Sequence, residues 1–243
     1  MSALLNARTP DVALSGSTKA RPIEALRCRA LLLAPVLVLA SEYVAFQGLT
    51  SVVGARLGYF LAFAIYWIGW CLLFPAWVLG WRGIHAMFGP AQPRFGRPAW
   101  LGVAVLAAPL ALGYGLAFPG AFRQATPAIV VASFPLAAVN ATGEEILWRG
   151  VYQRVFPSRA WWGLIWPSLG FAIWHFAPQS VHANTMPGGA WSFVLVAGLF
   201  GLGWSWLAHQ SASIRWTTPA HILFDFAGLG ALIYIGPNAL ALQ

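Results

Sequence analysis

Residues 127–147 read PAIVVASFPLAAVNATGEEIL, an apolar run that closes on two adjacent glutamates, Glu144 and Glu145. A helix through the roughly 30 Å hydrocarbon core of a bilayer needs about 20 mostly apolar residues, which this stretch supplies. Arg149 follows four residues after Glu145, on the same helical face and with the carboxylate on the N-terminal side, the favourable order for such a pair. An ionisable group at membrane depth costs about 2.5–3.5 kcal/mol on insertion scales, so its presence marks a functional candidate.

Six further stretches have the same length and character: 30–50, 57–81, 100–118, 161–177, 190–208 and 217–236. They predict an all-α, polytopic membrane helix bundle of about seven transmembrane helices. Composition agrees: 59% of the 243 residues are hydrophobic and 8% charged, against about 25% charged in soluble domains. The same figures exclude intrinsic disorder, which needs low hydrophobicity and high charge. Two cysteines, Cys28 and Cys71, form neither a disulfide framework nor a C-x-x-C motif. The formal charge of +8 comes from basic residues scattered between apolar runs, not from a stripe with interleaved aromatics, so nucleic acid is not an expected partner.

The basic residues also give an orientation. Arg8, Lys19, Arg21, Arg27 and Arg29, then Arg82, Arg94, Arg97, Arg154, Arg159 and Arg215 fall on one side, and only Arg56 and Arg123 on the other. The positive-inside rule then places the N-terminus in the cytoplasm. The expected organisation is a cytoplasmic tail over 1–29, N-terminal membrane helices over 30–126, a core over 127–236 and a short tail over 237–243. Val38-Leu39-Ala40 resembles a signal-peptidase site, but the stretch before residue 30 is long for a signal n-region. Thirteen Arg against one Lys suit a bacterial inner-membrane protein.

Glu144, Glu145, His175, His221 and Asp225 all lie in apolar surroundings, and Glu42 lies in or near the first span. Glu144 is rotated about 100° from Glu145 and lacks the Arg149 partner, which suits a general base acting on water. Asn140 stands four residues before Glu144, within hydrogen-bonding reach on one face. Phe171 shares a face with His175, and His221 with Asp225. Such a set can act as a site or as a polar network tying helices together, as Asn140 alone could do.

E-E-x-x-x-R, F-x-x-x-H and H-x-x-x-N/D, in that order on successive membrane segments, resemble the CAAX protease and bacteriocin-processing family of glutamic intramembrane endopeptidases. The motifs are Glu144/Glu145/Arg149, Phe171/His175 and His221/Asp225. The resemblance implies peptide-bond hydrolysis with neither metal nor cofactor. It implies that Glu144 activates water with help from His175, that His221 and residue 225 stabilise the oxyanion, and that Glu145, Arg149 and Phe171 give support. The implied substrate is a membrane-anchored or lipidated protein or peptide reached from the lipid bilayer: a prenylated CAAX protein, a bacteriocin-type peptide, or a C-terminal sorting tail of the myxosortase kind. Better-known members carry Asn where this chain has Asp225. An ionised Asp donates no hydrogen bond, and would orient and charge His221 instead.

Other readings use the same residues. A zinc protease would recruit the His and Glu side chains, although H-E-x-x-H is absent and Glu145 is taken by Arg149. A transporter would show broken helices repeated in two halves. A catalytically idle scaffold or immunity protein would keep the motifs. Counting about 1.5 Å per residue from the turn at 157–158 puts Glu144 and His175 within about 5 Å of equal depth, and His221 shallower.

Overall fold

The computed structural model describes residues 22–184 and 186–237. Among them every regular element is helical: α1 (Pro22–Val53), α2 (Ala55–Ala86), α3 (Ala99–Phe122), α4 (residues 127–155), α5 (residues 161–174, followed by the single turn Phe176–Gln179), α6 (Gly189–Ser211), α7 (Thr217–Ala227) and α8 (Leu232–Ile235). The first seven correspond one to one with the seven expected stretches. By length and apolar character α2, α3, α6 and the α7–α8 unit Thr217–Ile235 can each cross a membrane. Leu33, Val44, Leu116, Val131, Leu195 and Leu199 point outward, each more than half exposed. A helical bundle clothed in such side chains has lipid as its solvent, and the protein is an integral membrane protein.

Of the expected terminal tails, residues 1–21 and 238–243 lie outside the described residues. The peptidase-like Val38-Leu39-Ala40 sits in mid-helix in α1, with Val38 fully buried.

The centre of the bundle is the second half of α4. Thr126 caps this helix, its hydroxyl oxygen accepting from the Ile129 N–H, and Pro127 occupies the first turn, where no amide donor is needed. The helix runs in α form to Glu144, widens into π turns over Glu145–Val151, and closes with Tyr152–Val155. All seven residues of the π stretch are buried. A helix covered on every side is an interior helix, and here α2, α5 and α6 supply the cover.

Two backbone features set the depth of the last helices. In α2, Gly80 takes φ 71°, a conformation that side chains with a Cβ rarely adopt, and the helix bends there. Beyond the bend, Met87 and Gly89 meet the segment that follows α6. The connection after α6 then folds inward: the Ile214 N–H donates to the Met87 carbonyl at 3.0 Å, and the Ser213 hydroxyl to the Gly89 carbonyl at 2.7 Å. Ile214 and Thr217 are fully buried, so α7 starts inside the bundle. His221 therefore lies deeper than residue counting from Arg215 suggests, and meets Glu144 directly.

The last expected span is also not one helix. It breaks at 228–231, where buried Leu229 has φ 46° and the Ala231 N–H donates to the Ser133 hydroxyl at 3.1 Å.

Candidate active site

Glu144 comes from the last α-type turn of α4 and is 1% exposed. Its Oε1 accepts from the Tyr66 hydroxyl at 3.3 Å, and its Oε2 from Asn140 Nδ2 at 3.3 Å. His221 Nε2 lies 3.4 Å from the same Oε2 and 3.5 Å from Asp225 Oδ1. Its other nitrogen, Nδ1, faces Glu145 Oε1 at 3.0 Å. Consecutive glutamates of one helix thus address opposite nitrogens of one imidazole. The ring is placed to donate on both sides, and Trp204 covers it at 4.4 Å between centroids.

Glu145 is held from three directions. The Thr217 hydroxyl donates to Oε2 at 2.5 Å, His221 faces Oε1, and Arg149 NH1 stands 3.3 Å from Oε1. The guanidinium is itself 1% exposed and lies 4.0 Å above the Phe171 ring and 5.7 Å from the Trp204 ring. Aromatic faces and one carboxylate therefore replace the water around this cation. Gly201 makes room for it: a Cβ there would come 2.5 Å from Phe171 Cδ1 and 3.0 Å from Arg149 NH2.

Asp225, on the same face of α7 as His221, accepts from Asn140 Nδ2 at 2.9 Å. The Asn140 carbonyl in turn accepts from Trp67 Nε1 at 2.9 Å. On the other flank, the Tyr66 oxygen accepts from Trp148 Nε1 at 2.8 Å, and its ring stacks on Trp174 with centroids 3.9 Å apart.

His175 ends α5 beside this cluster. Its Nδ1 lies 2.6 Å from the Phe171 carbonyl, an acceptor only, so Nδ1 carries a proton, and when the ring is neutral Nε2 offers a lone pair. The Phe171 ring meets His175 edge-on at 4.8 Å and His221 at 6.0 Å. Glu144, Glu145, Arg149, His221 and Asp225 thus form one contiguous polar cluster, with His175 joined to it across Phe171.

Tyr66, Trp67, Thr217 and Trp204 were not singled out from sequence as site residues. Thr217 had a readable signal, since it precedes His221 by four residues as His221 precedes Asp225. Tyr66 and Trp67 sit in an aromatic-rich span, where membrane anchoring explains such residues equally well.

Glu144, His221 and Asp225 could also hold a metal ion, each offering a ligand atom within 4.8 Å of the others.

Among the described residues the fold is a helical bundle in whose interior two adjacent carboxylates and an imidazole converge. Residues 126–227 match the family described as type II CAAX prenyl endopeptidase Rce1-like. No curated protein and no solved structure matches the chain.

Proposed function

We propose that the protein is a glutamic intramembrane endopeptidase, with residues 127–236 as its catalytic core. The observation that carries the reading is the double fixation of Glu144 and His221. Each is buried, each is oriented by further groups (Tyr66 and Asn140 for one, Glu145 for the other), and they face each other at 3.4 Å. A network serving only to tie helices needs no such convergence on one carboxylate and one ring.

In the mechanism, Glu144 takes a proton from water held with the help of the His175 Nε2 lone pair. The water oxygen attacks the scissile carbonyl carbon, and the carbonyl electron pair moves onto oxygen. His221 Nε2, held by Glu145 at Nδ1, donates to that oxyanion, and preorganised donors of this kind are often worth about 2.7–4 kcal/mol each. The tetrahedral centre then collapses, the C–N bond breaks, and Glu144 passes its proton to the leaving amine. Arg149 keeps Glu145 in place, and Phe171 supports both Arg149 and His175.

The substrate is a membrane-anchored or lipidated protein or peptide. The family description points to prenylated CAAX proteins, while bacteriocin-type peptides and C-terminal sorting tails fit a bacterial inner-membrane enzyme with its N-terminus in the cytoplasm. Membranes carrying wild type or Glu144→Ala would be incubated with a prenylated CAAX peptide, a lipid-tethered sorting tail and a membrane-anchored reporter, with products read by mass spectrometry. Chelator-resistant cleavage that Glu144→Ala abolishes is the expected result. No cleavage of the whole panel by folded wild type would refute the hydrolase reading in favour of a scaffold. The spacing of Glu144, His221 and Asp225 favours one second reading, a metal-dependent hydrolase, for which chelation would abolish cleavage and a divalent ion restore it.

A further inference from the structure

Resting on the endopeptidase reading, we infer that Asn140 supplies the amide oxyanion donor that an ionised Asp225 cannot, so that the two residues form a split pair across α4 and α7. An amide has one acceptor and two donors. The Asn140 acceptor is committed to Trp67 Nε1 at 2.9 Å, which fixes which way the amide faces. Its nitrogen therefore points at two carboxylates, Asp225 Oδ2 at 2.9 Å and Glu144 Oε2 at 3.3 Å. Flipping the amide would set its carbonyl against both carboxylates and leave the Trp67 N–H without an acceptor.

The two donated bonds differ in a way that matters for catalysis. The bond to Asp225 has ordinary length, and the one to Glu144 is long. The first anchors the amide, and the second N–H is the one free to move. When Glu144 takes the water proton, negative charge leaves its carboxylate and appears on the carbonyl oxygen of the substrate. A donor aimed at Oε2 then loses its anionic acceptor as the oxyanion forms nearby, and its hydrogen bond transfers from one to the other. His221 Nε2 faces the same Oε2 at 3.4 Å, so the two donors converge on the place where the charge develops. Asp225 is in this scheme a positioning residue, which holds the Asn140 amide through Oδ2 and faces His221 through Oδ1.

The test moves the amide between helices. Asn140→Ala and Asn140→Asp each remove the donor, and kcat is expected to fall on the order of 100-fold or more, as for loss of an oxyanion-hole donor, with little change in KM. In the exchanged variant Asn140→Asp/Asp225→Asn, the amide stands on α7 and the carboxylate on α4. This variant is expected to recover about tenfold or more over Asn140→Asp. All variants are compared by thermal unfolding in detergent, and the substrate is the member of the panel above that wild type cleaves.

An exchanged variant that melts like wild type yet recovers nothing overturns the inference, as does an Asn140→Ala enzyme with the wild-type kcat. If the exchanged variant does not fold, Asn140→Ala/Asp225→Asn decides in its place by the same recovery over Asn140→Ala. A wild-type protein that cleaves nothing in the panel refutes the endopeptidase reading itself, a separate outcome.

Discussion

Replacing Arg149 by methionine removes a cation that is 1% exposed and pairs with Glu145 at 3.3 Å. The thioether chain fills much of the same slot against Phe171 and Trp204, so packing changes little. What changes is charge. Glu145, wholly buried, keeps only Thr217 and His221 as partners. Removing one member of a buried ion pair costs about 3–5 kcal/mol, because the other charge is left uncompensated. For a chain of this size each kcal/mol lowers the melting temperature by about 2–4 °C, so Arg149→Met is expected to melt about 6–20 °C below wild type. Adding Glu145→Gln removes the stranded charge. The double variant is therefore expected to melt higher than Arg149→Met alone, while cleaving poorly because His221 has lost the carboxylate facing Nδ1. Thermal unfolding of purified protein in detergent reads the first effect, and peptide cleavage the second. An Arg149→Met protein that melts within about 2 °C of wild type, or a double variant less stable than the single, would refute the reasoning.

Two further outcomes follow from contacts around the cluster. Tyr66→Phe keeps the stack on Trp174 but removes the donor to Glu144 Oε1; kcat is expected to fall about tenfold with KM nearly unchanged, equivalent to about 1.4 kcal/mol, and an unchanged kcat would show that Glu144 needs no such support. Gly201→Ala forces a methyl to within 2.5 Å of Phe171 Cδ1 and should cost about 1–3 kcal/mol by overpacking, and a melting temperature equal to wild type would contradict the packing described between α6 and the Arg149 guanidinium.

What could be read from sequence was what lies along a single helix. The Glu145–Arg149 pair, the Asn140–Glu144 hydrogen bond and the His221–Asp225 contact all follow from four-residue spacing, and all are present. The order of apolar runs likewise corresponds to the order of helices. What could not be read was how far one helix slides past another. Residue counting places His221 shallow because it treats Arg215 as a loop residue at the membrane surface, whereas the segment beside it hydrogen-bonds to Met87 in the interior. That contact joins positions more than a hundred residues apart and leaves no local signature. The break of the last span at 228–231 was hidden for a related reason, since Leu229 and Ala231 look apolar enough to continue a helix and are turned by a distant hydroxyl, Ser133. Tyr66 and Trp67 were masked by chemistry: an indole or phenol in a membrane span satisfies an anchoring explanation before a hydrogen-bonding one.

The stretch that matches the family begins well after several groups that hold the polar cluster. Tyr66, Trp67 and Met87 all precede residue 126, yet they fix one oxygen of Glu144, the orientation of Asn140 and the entry of α7 into the bundle. The limits of the matched segment and the limits of the polar cluster are therefore different lines. A chain cut at the first would keep every motif residue and lose the means of aiming them. Grafting the matched segment onto foreign leading helices would require that those helices bring their own phenol, their own indole and a bend that catches the incoming loop.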